Sequence, residues 1–271
     1  MACIAGGEFM IGLDDDPHTD CDQHSPQKRR RSNTRGAHPV FLATFYMDKT
    51  EVTNDAYRGC VRAGKCKGGG PNYRDFKRPR QPVTGVSFFD ASAFCEAQGK
   101  HLPTEAEWEA AARGPKGELM PWGQSPADCS KAVLRDPVAG RSCGVRKQGG
   151  GAAKGRVLEV GSRPAGRYGL FDMIGNAEEW TADWYSDDWG ECGKDCLGRN
   201  PRGPCQGKAP CPGHRYRSVR GGSWYWPTEH ATGVHRRPHH PANRPFHHFG
   251  FRCAASAEEA SRLTETKPRR R

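Results

Sequence analysis

The sequence has 271 residues, of which 34 are Gly and 21 are Pro; 35% of it is apolar, and its mean hydropathy is −0.86. No stretch approaches the roughly 20 apolar residues that a membrane-spanning helix needs, and Gly and Pro interrupt nearly every periodic segment, which argues against a helical bundle. The net charge is +11, but no nucleic-acid-binding signature accompanies the basic runs at residues 28–31 and 268–271, so nucleic acid is not the expected partner.

The first part of the chain predicts short strands. One strand is expected between the glycines of residues 6–12. A second is expected over residues 40–47, where alternation puts Phe41 and Phe45 on one face of the strand. The polar residues 14–38 between them predict a mobile loop.

Three short helices follow, each with its own start and stop signals. The expected caps and stops are Thr53 with Gly64, Ser87 or Asp90 with Gly99, and Thr104 with Gly114. Thr104 also forms a capping box with Glu107. Short helices between aromatic-rich irregular strands indicate a single α+β domain, which we place at residues 1–257. Residues 258–271 predict a basic polar tail that frays.

The cysteines are numerous and clustered. There are 12, and the clusters are Cys60 with Cys66, Cys129 with Cys143, and the quartet Cys192, Cys196, Cys205 and Cys211. The quartet lies in residues 187–215, a Cys-rich insertion with almost no aliphatic residue, so disulfides are the favoured way to order it; zinc and free thiols are the alternatives. Disulfides imply a secreted or cell-envelope protein, although residues 1–20 contain no export signal.

Seven sequence blocks stand out between residues 5 and 255. They are TEVTN (50–54), PVTGVS (82–87), GKHLPTEAEWE (99–109), PWG (121–123), YGLFDMIGNAEEW (168–180), RGGSW (220–224) and GFRC (250–253). In this order and at these intervals the blocks resemble the formylglycine-generating enzyme (sulfatase-modifying factor) family. The resemblance implies that family's fold, a C-type-lectin-like α+β fold with little regular secondary structure.

The block at residues 168–180 gathers oxygen donors. Asp172, Asn176 and Glu179 lie within eight residues, and oxygen-only ligation suits a hard cation such as Ca²⁺. The resemblance implies one structural calcium, held by the side chains of Asp172 and Glu179 and the backbone of Gly175 and Ala177. The alternative is that the two carboxylates only accept hydrogen bonds from loop amides. A second calcium of the family, near residues 130–150, is not expected because no matching Asp is present.

The resemblance breaks at the family's active site. Its catalytic members bind Cu(I) with two cysteines after the Gly-Gly-Ser block and use O2 to oxidise a cysteine of a target sulfatase. The two positions here are Trp226 and Ala231, and neither side chain can ligate a soft ion that prefers thiolates. No Cu(I) is therefore expected at the family position. Cys253, in the last block, is expected to be packed rather than reactive.

The segment at the missing copper site is rich in histidine, with six of the 11 His within residues 230–248. A metal site for Fe, Cu or Zn is one interpretation, and a Pro-rich loop that only packs is another. A third is a ligand groove, since aromatic faces beside basic groups suit carbohydrate, peptide or anionic ligands. Its predicted lining residues are Trp224, Trp226, His230, Arg236 and Arg237.

Two further points stay open at the sequence level. Gly221 and Gly222 would let a ligand approach the backbone, or they only serve a turn. The function is either that of a binding or accessory domain for a protein, peptide or carbohydrate, or that of an oxidoreductase of the family using another metal or residue set. No catalytic residue is assigned, and what separates the two functions is an oxygen-reactive metal among residues 230–248.

Overall fold

The computed structural model describes residues 1–14, 36–71, 73–144, 155–187, 189–242 and 247–265. The predicted mobile loop lies outside these residues except at its two ends. There, Asp14 accepts hydrogen bonds from the amides of Gly36 and Ala37, and His38 begins a strand. Within the described ranges, no helix is both long and apolar enough to cross a membrane.

The secondary structure of the described residues consists of short elements. The strands are β1 Ala2–Ile4, β2 Gly7–Ile11, β3 His38–Leu42, β4 Phe45–Met47, β5 Glu178–Trp184, β6 Gly198–Arg199, β7 Arg217–Arg220, β8 Arg236–His239, β9 Phe249–Gly250 and β10 Ala254–Ser256. The α-helices are α1 Asn54–Arg62, α2 Phe88–Ala97, α3 Glu105–Arg113, α4 Trp189–Cys192 and α5 Ala257–Glu265. This mixture confirms the α+β prediction.

The three predicted helices are confirmed together with their caps. Thr53 caps α1, while Ser87 and Thr104 begin α2 and α3 through capping boxes in which the third helical residue returns a hydrogen bond. α3 ends at Gly114, whose φ of 70° lies in the left-handed region that favours glycine. Local hydrogen bonding therefore fixes these helix boundaries.

The single strand predicted over residues 40–47 is wrong. The chain forms two strands there, β3 beside β2 and β4 between β1 and β10, and they belong to different sheets. The passage from one sheet to the other interrupts the alternation of side chains. Phe41 is consequently 40% exposed and Phe45 only 2%, instead of sharing a face.

The frayed tail predicted from residue 258 is also wrong as far as residue 265, because α5 occupies that stretch. At its start, the carboxylate of Glu259 accepts the amide of Ser256, and the hydroxyl of Ser256 accepts the amide of Glu259. His101 Nδ1 lies 2.8 Å from the same carboxylate and ties the helix to the domain. Residues 266–271 lie outside the described ranges.

A four-stranded sheet, in the order β8-β7-β5-β9, carries the region of interest. α3 packs on one face of this sheet and α2 on the other. On the α2 side the contacts are apolar, with Trp180, Val219 and Phe249 of the sheet packed against Phe88 and Phe94. On the α3 side the sheet presents arginine and glutamate side chains.

Five disulfides cross-link the described residues, which confirms the prediction of cross-links for the clustered cysteines. They are Cys60–Cys66, Cys95–Cys253, Cys129–Cys143, Cys192–Cys196 and Cys205–Cys211. Cys253 is thus buried and cross-linked to α2 rather than reactive, through a pairing that sequence spacing does not reveal. Cys3 is the free cysteine among the described residues.

Candidate functional site

Several of the sequence blocks meet in a buried network of charges between α3 and the sheet. Glu105 lies at its centre and accepts two hydrogen bonds from Arg236, at 2.7 and 2.8 Å, and one from Arg220 at 2.8 Å. Glu109, one turn later on α3, accepts a second nitrogen of Arg220 and one of Arg113. All five side chains are buried. Each charge is paired, as burial requires.

Two acids of this network, Glu105 and Asp183, have opposite protonation states, because only Glu105 is paired with arginines. Burial opposes ionisation of Glu105, but Arg236 and Arg220 hold its pKa down at about 2. Asp183 accepts the amide of Glu105 at 2.7 Å and has no such pair; burial and the charge of Glu105 raise its pKa to about 8. Asp183 is therefore mainly protonated at neutral pH.

Gly221 and Gly222 serve the packing of the chain on itself. Their φ angles are 89° and 66°. A Cβ at Gly221 would lie 2.8 Å from the carbonyl oxygen of Met173, and one at Gly222 would lie 2.5 Å from that of His230. The backbone itself fills the space, so the turn interpretation is correct and the ligand-approach interpretation is wrong.

The two positions of the family's copper thiols have different surroundings here. Ala231 is completely buried, whereas Trp226 is partly exposed. The guanidinium of Arg237 lies over the indole of Trp226, 4.2 Å from the ring centroid. The buried carboxylate of Glu178 accepts two hydrogen bonds from Arg237, at 3.0 and 3.1 Å. An indole with a fixed cation on its face thus occupies the first of these positions.

The predicted ligand groove is brought together only in part. Trp226, His230 and Arg237 lie side by side, each partly exposed, with 5.1 Å between the Trp226 and His230 ring centroids. Trp224 is 3% exposed and belongs to the core. The prediction that Arg236 lines the groove is wrong, because its side chain is buried and paired with Glu105. Neighbouring residues of β8 point to opposite faces of the sheet, so Arg236 and Arg237 cannot line one groove.

Two of the clustered histidines form a close pair. Nδ1 of His230 and Nε2 of His235 are 3.3 Å apart, and the ring centroids are 4.9 Å apart. Both rings are partly exposed beside Trp226, whereas His240, further along the same segment, is exposed.

Two further histidines of the segment, buried His248 and partly exposed His239, pack as aromatic rings. His248 stacks on Tyr225, and His239 meets Phe249 edge-on. Burial, reinforced by the charge of Arg237, lowers the pKa of His248 to about 3 and that of His239 to about 4. Across the described ranges, no three His, Cys, Asp or Glu side chains are placed to hold a metal ion together.

Glu179, a predicted calcium ligand, already accepts hydrogen bonds from three N–H groups. Both of its oxygens accept hydrogen bonds from Arg252, at 2.7 to 3.0 Å, and Trp108 Nε1 donates to one of them at 2.7 Å. These contacts come from three N–H groups, because Arg252 Nε has one hydrogen that the two oxygens share. Three of the four lone-pair positions of the carboxylate are thereby used, which leaves one for a cation.

Asp172, the second predicted side-chain ligand, lies beside another buried acid. It accepts the amide of Gly161 at 2.6 Å and hydrogen bonds to the carboxyl of Glu51. Glu51 in turn accepts the amide of Ala177 at 3.0 Å, while the amide of Gly175 donates elsewhere, to a carbonyl. Burial, with the nearby carboxylates, raises the pKa of Glu51 well above its usual value, and burial also raises that of Asp172.

The chemistry of this cluster fits a divalent cation in one respect. Three buried acids, Glu51, Asp172 and Glu179, surround one guanidinium, that of Arg252, so acidic oxygens outnumber the cations, and the raised pKa values of Glu51 and Asp172 reflect this surplus. Oxygen donors in such surplus suit Ca²⁺. The three N–H groups that already occupy Glu179 are the respect in which the contacts differ from a ready calcium site.

Sequence reasoning missed the residues that act as partners. Glu51, Arg252 and Glu178 lie inside recognised blocks, yet none was assigned a role. A signal was present, because a charged residue inside an otherwise apolar block must be paired if the block is buried. The identity of the partner depends on the tertiary fold and was not readable.

Comparison with known proteins gives consistent matches along the chain. The family described as the sulfatase-modifying factor enzyme 1-like domain matches residues 1–257. The formylglycine-generating enzyme of Bos taurus is 33% identical over 94% of this chain and 74% of that enzyme. The inactive C-alpha-formylglycine-generating enzyme 2 of Mus musculus is 31% identical over 65% of this chain and 49% of that protein.

A further relative is longer than this chain. The serine/threonine-protein kinase pkn1 of Chlamydia pneumoniae is 31% identical over 94% of this chain, which spans only 37% of the kinase. Among solved structures, PvdO from Pseudomonas aeruginosa has a TM-score of 0.69 at 22% identity, with 94% of this chain and 93% of PvdO covered. Together the fold and the buried network define an α+β domain of the formylglycine-generating-enzyme type. The chain belongs to the sulfatase-modifying factor family.

Proposed function

We propose that this domain is a catalytically divergent member of the family that acts as a binding or accessory domain. One observation carries the proposal: the two copper-thiol positions hold the indole of Trp226 and the buried methyl group of Ala231. Cu(I) is bound by soft sulfur ligands, which these side chains lack. Without that ion, the O2-dependent oxidation of a sulfatase cysteine has no site at this position.

The surface around Trp226 supports a binding role. Trp226, Arg237 and His230 offer an aromatic edge, a cation and an imidazole in one partly exposed place. Because Arg237 is held by buried Glu178, the surface is ordered before a ligand arrives. A protein, peptide or carbohydrate is the proposed ligand. The five disulfides support a secreted or cell-envelope location for this role.

The relatives are compatible with an accessory role. One of them is named an inactive formylglycine-generating enzyme, and in the pkn1 kinases the matching segment is only part of a longer protein. Domains of this family therefore occur outside the sulfatase-modifying enzymes themselves. In this chain the same separation of scaffold from copper chemistry is what we propose.

Copper chemistry is tested by restoring the missing sulfurs. The substrate is a peptide with the sulfatase-type sequence CxPxR, whose cysteine the catalytic members of the family oxidise to an aldehyde. We expect the wild-type protein, supplied with Cu(I) and O2, to form no aldehyde on this peptide. The double variant Trp226→Cys/Ala231→Cys is expected to bind Cu(I), whereas the matched control Trp226→Ser/Ala231→Ser is not. Mass spectrometry of the peptide and a Cu(I) competition assay give the readouts. Aldehyde formed by the wild-type protein would instead establish the oxidoreductase alternative.

The binding role is tested with arrays of glycans and peptides. We expect Trp226→Ala to abolish the binding of any ligand that the wild-type protein retains. Phe41→Ala is the matched control, since Phe41 is a partly exposed aromatic residue of a different sheet. Equal loss in both variants, or binding that survives Trp226→Ala, would place the ligand elsewhere.

We also propose one structural Ca²⁺ at Asp172, Gly175, Ala177 and Glu179, supported by the excess of buried carboxylate. A bound ion of this kind stabilises the folded state by linkage, so chelation is expected to lower the melting temperature and re-addition of Ca²⁺ to restore it. Asp172→Asn is expected to remove that response. An unchanged melting curve, together with no calcium in elemental analysis of untreated protein, would exclude the site.

A further inference from the structure

We propose that His230 and His235 together bind one divalent transition-metal ion of the Zn²⁺ class at the edge of the Trp226 surface. Nδ1 of His230 and Nε2 of His235 are 3.3 Å apart, and the two ring planes are inclined at 77°. Two imidazole nitrogens on one tetrahedral Zn²⁺, each about 2.05 Å from it, are separated by about 3.3 Å. The pair therefore already has the spacing of two ligands of one ion.

The backbone holds the two histidines in this arrangement. Residues 231–234, which separate them, are buried. Arg220 donates a hydrogen bond to the carbonyl of Gly233 at 2.7 Å, which anchors the segment to the charge network under α3. The hydroxyl of Thr232 accepts the amide of His235 at 3.1 Å. Because burial and these two hydrogen bonds already hold the segment in place, a metal ion does not have to order it.

The donor set limits both the kind of ion and what the ion can do. Imidazole suits Zn²⁺, Cu²⁺ and Ni²⁺, while Mg²⁺ and Ca²⁺ prefer oxygen. Two protein nitrogens leave two positions of a tetrahedral ion open, and water or an oxygen donor of a ligand can fill them. Trp226 lies 5.1 Å from His230, so a ligand with a carboxylate or hydroxyl beside an apolar face would meet both.

This last point rests on the proposed function, since it takes the Trp226 surface as the place where a ligand docks. Metal binding itself does not depend on that. The inference assigns no redox step, and the ion acts as a Lewis acid that orients a ligand.

The test is a calorimetric titration of the full, metal-stripped chain with Zn²⁺. Cys3 and Cys21, which are not among the ten cysteines of the five disulfides, are replaced by Ser throughout, so that neither sulfur can compete. We expect one equivalent of Zn²⁺ to bind, and His230→Gln or His235→Gln to weaken binding by on the order of tenfold or more. His240→Gln, which alters an exposed histidine of the same segment, is the matched control and is expected to change nothing.

A second readout locates the ion. Co²⁺ or Cu²⁺ bound at the pair is expected to quench the fluorescence of Trp226, and Trp226→Phe is expected to remove the quenched component while keeping Zn²⁺ binding. Melting curves of the His variants confirm that they fold.

Two outcomes overturn the metal inference: no stoichiometric Zn²⁺ binding, or an equal loss in His240→Gln. Either outcome leaves the proposed function standing, because that proposal is tested separately, by aldehyde formation and by ligand binding of the Trp226→Ala variant.

Discussion

The two faces of the four-stranded sheet use opposite means to hold the same strands. Towards α3, the sheet buries Arg220 and Arg236 against Glu105 in a fully paired network. Towards α2, it buries Trp180 and other apolar side chains, and a disulfide joins the helix to the chain beyond the sheet. The α3 face depends on the pairing of specific charged side chains, while the α2 face depends on buried apolar surface area and on a covalent bond.

The difference between the two faces of the sheet explains which part of the fold the family blocks determine. Blocks such as GKHLPTEAEWE and RGGSW supply the paired face, so their presence identifies the scaffold. The copper-thiol positions, Trp226 and Ala231, lie outside the charge pairs. They can change without disturbing the network, so the scaffold does not depend on which residues occupy these two positions.

The largest effect is expected from the disulfide on the α2 side. Cys95–Cys253 closes a loop of 158 residues and Cys192–Cys196 one of 4. Chain entropy predicts losses of about 5 and about 2 kcal/mol for the respective Cys→Ala pairs. Urea unfolding of Cys95→Ala/Cys253→Ala and of Cys192→Ala/Cys196→Ala measures both. Equal losses in the two double variants would show that loop length does not set what these disulfides contribute to stability.

On the α3 side, Glu105→Gln is expected to lower the free energy of unfolding by about 3–5 kcal/mol, because it leaves buried arginines without their shared carboxylate. The matched control is Glu159→Gln, whose carboxylate is 52% exposed beside Arg80 and is expected to matter by about 0–1 kcal/mol. Denaturant unfolding of both variants gives the comparison. Similar small losses would mean that packing, not pairing, holds this face.

An intermediate effect is expected where the α2 face reaches the surface. Arg237→Gln removes charged hydrogen bonds to buried Glu178 and uncovers Trp226, so a loss of about 1–3 kcal/mol is expected. Quenching of Trp226 by acrylamide is expected to increase, with Trp226→Phe identifying its signal. Arg237→Lys is the control that keeps the charge without the planar fork. Unchanged stability and quenching together would contradict the Arg237–Trp226 contact.

Features set by interactions between residues close in the sequence could be predicted, and features set by residues distant in the sequence could not. Helix caps such as Thr104 are local, and they were predicted correctly. The change of sheet between Phe41 and Phe45 is imposed by distant strands, so alternation alone gave the wrong strand. The same holds for Cys95, whose partner is 158 residues away.

At the site, the sequence located the relevant segment but not the direction of its side chains. Arg236 and Arg237 are adjacent residues of the same type. Only the pairing of β8 with β7 decides which of them is buried. Trp226 could be placed by counting from the Gly-Gly-Ser block. Glu178, the partner of Arg237, could not be predicted, because that contact joins two strands far apart in the sequence.

A pH series tests whether every acid on the α3 face is ionised. Asp183 has its pKa raised to about 8, so between the unfolded value near 4 and pH 8 the folded state holds a proton that the unfolded chain has lost. Stability should therefore fall as pH rises through this window, by up to about 1.4 kcal/mol per unit, and level off above it. Asp183→Asn, neutral throughout, is expected to lack this slope while differing little from the wild-type protein near pH 5. Melting temperatures of both proteins from pH 5 to 9 measure the difference. Parallel curves would show that Asp183 is ionised in the fold, and its charge would then balance the third arginine of the network, since Arg113, Arg220 and Arg236 are paired with only two glutamates, Glu105 and Glu109.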